Sequence, residues 1–506
     1  MQSVIQTVSF RGVDIQPVSV QVHISNGLPS MAIVGLADKS VAESRERVRA
    51  ALSSLGLALP AKRVAVNLAP ADLLKEGAHF DLPIALGILC AMGGLPADAV
   101  EGYTVLGELS LSGEVQKVSG ILPVALHTAS LKCGLICPFD NGAEAAWAGQ
   151  LDIIAASSLA QILNHLSGRQ VITPPQPQRL PQSEDGPDMA ELAGQETARR
   201  AFEVAAAGGH HLLMVGPPGA GKSMLASRLP ALLPPLSPKE ALETTIIHSV
   251  AGQLPSSGLV HQRPYRDPHH SASMAALVGC GLKALPGEAS LAHHGVLFLD
   301  ELAEFSRQAL DGLRQPLETG EITVARANHH IRYPAQFQLV AAMNPCRCGY
   351  LADAGRACSR APDCSRQYMA RISGPMLDRF DIILDIAELS SHDLLYAEPA
   401  EPSSEIRKRI LEARRFSSLR GPASSADVNA RLSASQVRDE IELSADVKTV
   451  LDQVMETHKL SARGLHKAVR VARTIADLAS SSEIRKMHML EALSYRHYLS
   501  GRLVSG

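Results

Sequence analysis

Aromatic residues are scarce. The 506 residues include 9 Phe, 8 Tyr and 1 Trp, which argues against a binding surface built on stacked rings. Cysteine is sparse as well, at 8 residues, far below the density of a secreted disulfide scaffold. Neither sign of charge dominates: Lys plus Arg is 48, Asp plus Glu is 51, and the net charge is −3. That balance excludes a histone-like basic coat, although it leaves room for a local nucleic-acid surface. The opening MQSVIQTVSFRGVDI lacks the basic and apolar regions of an export signal. The longest apolar run, Leu82 to Leu95, falls short of the roughly 18 residues that a spanning helix needs and reads as a buried helix. No repeat at solenoid periods is present. These absences predict a cytosolic protein with no membrane partner.

What is there is ordinary globular composition, 46% hydrophobic and 20% charged, in a chain long enough for about three domains. Residues 173–188, TPPQPQRLPQSEDGPD, are proline-rich and nearly devoid of apolar side chains, so they read as a stiff solvated linker. The expected domains are 1–172, the linker 173–188, an α/β core over 189–395 and a helical region over 396–506. Within the first, Val18, Val20, Val22 and Ile24 alternate as in a half-buried strand. From Asp38, a plausible N-cap, Val41, Val48, Leu52 and Leu55 share a helical face that Gly56 would close. Lys62–Leu68 returns to strand, and Asp81–Leu95 to helix. The fold class is α/β.

The strongest signal is His211-Leu-Leu-Met-Val215 followed by Gly216-Pro217-Pro218-Gly219-Ala220-Gly221-Lys222-Ser223. This is GxxxxGKS between an apolar strand and a helical run. The glycines let backbone N–H groups turn around phosphate oxygens, Lys222 offers a cation to the β- and γ-phosphates, and Ser223 is a natural Mg²⁺ ligand. The expected cofactors are therefore ATP and Mg²⁺. Gly295-Val-Leu-Phe-Leu-Asp300-Glu301 is a buried strand ending in two carboxylates. Asp300 would hold Mg²⁺ through water, and Glu301 would activate the hydrolytic water. A further strand, Phe337 to Asn344, ends in an amide able to bond the γ-phosphate or that water. Later come Leu377-Asp378-Arg379-Phe380-Asp381 and Ser461-Ala-Arg463-Gly464.

In this order GPPGAGKS, GVLFLDE, Asn344, LDRFD and SARG resemble an AAA+ ATPase of the magnesium-chelatase and minichromosome-maintenance-like branch. The resemblance implies that Asn344 is sensor 1, Arg379 an arginine finger acting on a neighbour's ATP, and Arg463 sensor 2 on a helical lid. It also implies a homo-oligomeric ring, usually of six subunits, and a helix-2-type insert in the core. Two longer stretches, FRGVDIQPVSVQVHISNGLPSMAIVGLADKSVAESRERVRAAL and RPYRDPHHSASMAALVGCG with PGEASLAHHGVLFLDELAEF, resemble the YifB/ComM family across nearly the whole chain. That resemblance implies an ATP-dependent DNA helicase promoting branch migration when transforming DNA is integrated, with single-stranded, forked or branched DNA as partner. A chelatase-type subunit remodelling a protein or metal-inserting partner is the alternative.

The N-terminal domain also resembles the proteolytic domain of Lon. Lys75-Glu-Gly-Ala-His79-Phe-Asp81 matches the segment that carries the nucleophilic serine, and Gly107 to Gly113 matches a second one. On that match the serine is replaced by His79 and the lysine partner by Leu122, so a Ser–Lys mechanism lacks both groups. The domain reads as a scaffold or a DNA-engaging collar. Cys346, Cys348, Cys358 and Cys364, spaced C-x-C-x₉-C-x₅-C, leave two readings, a tetrahedral Zn²⁺ site and a loop of reduced thiols; the single residue between the first two is shorter than the usual spacing. The pairs His269-His270, His293-His294 and His329-His330 read as polar contacts, because neighbours on a strand face opposite ways. Arg326, His329, His330 and Arg332 lie on a segment that resembles a pore hairpin of this branch, and with Lys283 they are the candidate DNA contacts.

Overall fold

The structure, a computed structural model, describes residues 2–36, 38–73, 75–177, 186–254, 258–279, 285–326, 329–351, 355–356, 358–389, 396, 400–420, 428–441, 443–458 and 461–496. It divides into two compact units: Met1–Pro181 with Pro238–Val260 and Ala325–Tyr333, and Gln182–Ser237 with His261–Val324 and Pro334–Gly506. Both are α/β. No helix among the described residues is long and apolar enough to cross a membrane.

The first unit is built on a seven-stranded mixed sheet. Its strands are β1 (Gln2–Arg11), β2 (Asp14–Ser25), β3 (Ser30–Val34), β4 (Arg63–Ala69), β5 (Tyr103–Val105), β8 (Gly134–Pro138) and β9 (Ile153–Ala156), in the order β3-β4-β2-β1-β5-β8-β9. Short strands β6 (Glu108–Leu109) and β7 (Val115–Gln116) pair separately. The alternation expected of Val18, Val20, Val22 and Ile24 is present in β2, with all four buried. The helix Asp38–Ser54 buries Val48 and Leu52, with Val41 and Leu55 packed at the margin. The apolar run forms the helix Asp81–Ala91, buried at nearly every position; it ends short of Leu95, at the Gly93-Gly94 pair. Helix Pro238–Val250, although far along the chain, packs against helix Ile121–Ser130 of this unit. Its Ser249 carbonyl accepts the Gly120 N–H at 3.0 Å, and its Ser249 hydroxyl donates to Glu144 at 2.5 Å.

The second unit carries a five-stranded, all-parallel sheet of β10 (Leu212–Val215), β11 (Tyr265–Arg266), β12 (Val296–Leu299), β15 (Gln338–Met343) and β16 (Ile382–Asp385). Strands β13 (Glu321–Arg326) and β14 (His329–Pro334) pair as a separate two-stranded ribbon before β15, and its Ala325–Tyr333 portion belongs to the first unit. The order β11-β12-β15-β10-β16 places the first strand, β10, between the fourth and the fifth. The chain leaves β10 for the far edge, works back, and finally crosses to β10's other side. Ligands of open α/β sheets sit at such a switch point, beyond the carboxyl ends of the strands. Strands β10, β12 and β15 are buried along their whole length, as expected of Val/Leu-rich parallel strands covered on both faces.

Candidate active site

The site forms where β10, β12 and β15 end. Val215 pairs with Met343, and the Gly216 N–H donates to the Met343 carbonyl at 3.2 Å. Asn344, the next residue, is thereby placed beside the loop that follows β10. That loop admits no side chain at its first position: a Cβ on Gly216 would stand 2.3 Å from the Ile386 carbonyl oxygen. It then feeds helix Lys222–Leu232.

Lys222 is buried, and burial lowers its pKa, against the opposing pull of Asp300 and Glu301. Its Nζ donates to the carbonyls of Gly216 at 2.8 Å and Pro217 at 2.7 Å, and to Asn344 Oδ1 at 3.2 Å. All three acceptors are neutral. A desolvated ammonium bonded only to neutral oxygens is suited to receive an anion, because an anionic oxygen makes the stronger, charge-assisted bond. Ser223 Oγ donates to Asp300 Oδ2 at 2.7 Å, bringing a hydroxyl and a carboxylate together as hard oxygen donors for Mg²⁺. These residues fit a nucleoside triphosphate with Mg²⁺: Lys222 and the loop amides would hold phosphate, Ser223 and Asp300 the ion, and the ion would neutralise developing phosphate charge.

Glu301 lies just past β12, exposed, with φ +52°. A non-glycine residue in that left-handed region is uncommon and clusters at functional sites. The turn separates the two carboxylates, and the Glu301 N–H donates to Asp300 Oδ1 at 2.8 Å. His270 Nδ1 stands 3.1 Å from Glu301 Oε2. Asp267, three residues earlier, has its pKa raised by partial burial and then by repulsion from Asp300. His269 and His270 make polar contacts, as expected of the pair, but the partner of His270 is Glu301. The only sequence signal was the place of His270 at the end of RPYRDPHH, just beyond a second parallel strand.

Arg379 follows the short helix Gly374–Leu377 and pairs with Glu318. Burial lowers its pKa, helped by repulsion from Arg463 and Arg314, so Arg379 and Arg463 share one neighbourhood. Arg463 is exposed in the first turn of helix Ala462–Leu478, which Ser461 caps by accepting the Gly464 N–H at 3.1 Å. This helix is pinned to the sheet by Asp381. Its carboxylate meets Lys467 at 3.1 Å and the His211 N–H at 3.1 Å, and these cations and donors outweigh burial to hold its pKa well below the usual range.

Three of the four cysteines come together after Asn344, and the fourth, Cys358, touches two of them. Thiols of Cys346, Cys348 and Cys364 can all lie within 4.8 Å of one another, and Cys358 hydrogen-bonds those of Cys348 and Cys364. In the first unit, His79 is buried, its Nε2 3.1 Å from the Val8 carbonyl, and desolvation lowers its pKa to about 4. Leu122 is fully buried. Lys75, also buried, donates to the carbonyls of Pro70 and Leu73. Arg332 is exposed on β14. Lys283 lies outside the described residues, as do the side chains of Arg326, His329 and His330.

Three family descriptions match the chain in succession. They are subunit ChlI of Mg-chelatase over residues 20–141, magnesium chelatase subunit ChlI over 188–394, and the ChlI C-terminal region over 400–496. The chain is 41% identical over 492 residues to the competence protein ComM of Haemophilus influenzae, covering 96% of this chain and 95% of that one. It is 40% identical over 499 residues to "Uncharacterized protein YifB" of Salmonella typhimurium (98% and 97%). To the Escherichia coli protein of the same description it is 41% identical over 498 residues (98% and 97%).

Proposed function

Because the chain belongs to the YifB/ComM family of magnesium-chelatase-like AAA+ proteins, we propose that it is an ATP-driven DNA motor that moves branch points while homologous DNA is integrated. The observation that carries the ATPase half is the convergence of Lys222, Ser223, Asp300, Glu301 and Asn344 at one switch point. In this reading Lys222 and the loop amides bind the triphosphate, and Ser223 with Asp300 binds Mg²⁺. Glu301 takes the proton of the attacking water, and the Asn344 amide orients that water or the γ-phosphate. The DNA half is supported by likeness to a relative described as a competence protein. Exposed Arg332 is the described candidate for phosphate contact; Arg326, His329 and His330 on the same segment, and Lys283 on a separate one, are the other candidates.

Turnover in this proposal requires assembly. Arg379 reaches the ATP of a neighbouring copy, where a cation stabilises charge on the transferring phosphoryl group, and the functional particle is a homo-oligomeric ring, six copies by analogy with the branch. Residues 396–506 act as a lid bearing Arg463. Residues 1–172 are a Lon-like scaffold without proteolytic chemistry, since buried His79 and Leu122 offer neither the hydroxyl nor the amine of a Ser–Lys dyad.

A second reading follows from the ChlI matches: a subunit that remodels a protein or metal-inserting partner. Both readings predict ATP hydrolysis, so the discriminating experiment adds DNA. A motor hydrolyses ATP faster with forked or four-way junction DNA and converts a synthetic junction to products only with ATP. Hydrolysis indifferent to DNA, with no junction conversion, would favour the remodeller.

A further inference from the structure

Between β15 and helix Asp363–Met369, the sulfurs of Cys346, Cys348 and Cys364 lie within 4.8 Å of one another, and Cys358 is in contact with those of Cys348 and Cys364. Cys346 is fully buried, and its sulfur lies 3.0 Å from that of Cys348. The close approach is made possible by Gly349 at φ +85°, whose N–H returns to the Cys346 carbonyl at 3.0 Å. Backbone N–H groups of Tyr350 and Cys358 are directed at the Cys348 sulfur. Such donors favour a sulfur that carries negative charge, as a metal-bound thiolate does. Cys364 enters from the first turn of its helix. Around a tetrahedral Zn²⁺ with Zn–S near 2.3 Å, sulfurs stand about 3.8 Å apart, inside the span that these thiols can occupy. The C-x-C spacing, short for a zinc site, is thus offset by a turn that already places both sulfurs on one side.

The loop also touches the candidate nucleotide site. Asn344 precedes Cys346 by two residues and accepts from Lys222. A Cβ on Gly349 would meet Pro218 of the phosphate loop at 2.5 Å, so glycine lets the knuckle lie directly on that loop. On the other side, Ser365 Oγ donates to the Pro345 carbonyl at 2.7 Å, tying Cys364's neighbour to Asn344's.

We propose that Cys346, Cys348, Cys358 and Cys364 bind one Zn²⁺ as four thiolates, and that the ion clamps the Asn344 loop against Pro218. Binding releases the protons of those sulfurs that are still thiols, and no electrons move. The metal site stands on its own geometry. The clamp's effect on turnover rests on the ATPase reading.

The test is metal analysis of the full-length chain, purified without metal-affinity media. About one zinc per chain is expected, released when a mercurial titrates four thiols. Cobalt replacement should give the visible absorption of a tetrahedral tetrathiolate site. Cys348→Ser and Cys364→Ser should lose the zinc and Cys90→Ser should keep it. Four freely titrating thiols with no bound metal in the folded parent protein would overturn the proposal, and so would iron in place of zinc. The parent measurement decides even if the serine variants fail to fold. Lys222→Ala separates the two readings: it should bind ATP more weakly and retain its zinc. For the clamp, Cys364→Ser that still binds ATP should hydrolyse it about tenfold more slowly, through a fall in kcat; an unchanged kcat in zinc-free protein would remove the clamp.

Discussion

His270 Nδ1 stands 3.1 Å from Glu301 Oε2, so the carboxylate proposed to activate water is already held by an imidazole from the neighbouring parallel strand's end. A group that restrains a base without touching the reacting atoms acts on kcat more than on binding. His270→Ala should lower kcat for ATP hydrolysis about threefold to thirtyfold with KM changed less than about twofold. Steady-state ATPase assays check this; a kcat equal to the parent's would remove His270 from the mechanism.

Glu301 and Lys222 divide chemistry from binding. Glu301→Gln keeps the shape but cannot accept the water's proton, so turnover should fall about 10²–10⁴-fold while ATP still binds. Lys222→Ala removes a charge-assisted bond and should weaken ATP binding about tenfold to a hundredfold. Equilibrium binding of a fluorescent nucleotide separates the two. Glu301→Gln protein turning over at the parent rate would refute the base assignment.

Arg379 and Arg463 are close enough for their charges to oppose each other, which predicts that they serve one phosphate group. An arginine finger supports turnover by about 10³–10⁵, whereas the surface pair with Glu318 is worth about 0–1 kcal/mol. Arg379→Ala and Lys222→Ala should each be nearly inactive, and mixing them should restore partial activity at interfaces joining an intact loop to an intact finger. Arg463→Ala should behave like Arg379→Ala in the same mixtures. Mixed rings that form yet recover nothing would exclude action in trans, and full activity of Arg379→Ala alone would exclude the finger.

Two histidines predict acid sensitivity. His79 and His211 have pKa values lowered to about 4 by desolvation, against about 6.5 in an unfolded chain. Below 6.5 the unfolded state binds protons that the folded state refuses. Stability is therefore fully present above pH 6.5 and declines between 6.5 and 4, by on the order of 3 kcal/mol per histidine. Urea midpoints measured from pH 7.5 to 4.5 should fall, and His79→Gln should flatten the fall for the first unit's transition.

Arg332, exposed on β14, offers a test of the DNA surface. If it neutralises a phosphate, Arg332→Ala should weaken binding uniformly across sequences and reduce the slope of log K against log salt by about 1. An unchanged slope would place the contact elsewhere.

Local motifs were legible because their chemistry is local. GPPGAGKS needs only a strand before it and a helix after it, and the sequence states both. The alternating valines of β2 and the apolar helix from Asp81 were likewise readable from period alone. His270 was not, since its meaning depends on a carboxylate thirty-one residues later that the parallel sheet brings alongside. Nor was the Cys346–Cys348 contact, which spacing rules discount and the turn at Gly349 permits. Composition marks residues 173–188 as a break, yet it is blind to helix Pro238–Val250 joining the first unit, because a helix that buries Thr244, Thr245, His248 and Ser249 beside Ile247 carries no label for the surface it will cover.

That helix changes what dissection of the protein can achieve. The chain passes between the units after residues 181, 237, 260, 324 and 333, so the N-terminal unit is stitched from separate stretches rather than hung from one tether. A nick within 173–188 should leave the pieces co-eluting under native conditions and parting only in denaturant. A recombinant fragment ending at 172 would lack the partner of helix Ile121–Ser130 and should be poorly soluble, until a peptide spanning 238–260, supplied separately, rescues it by fragment complementation.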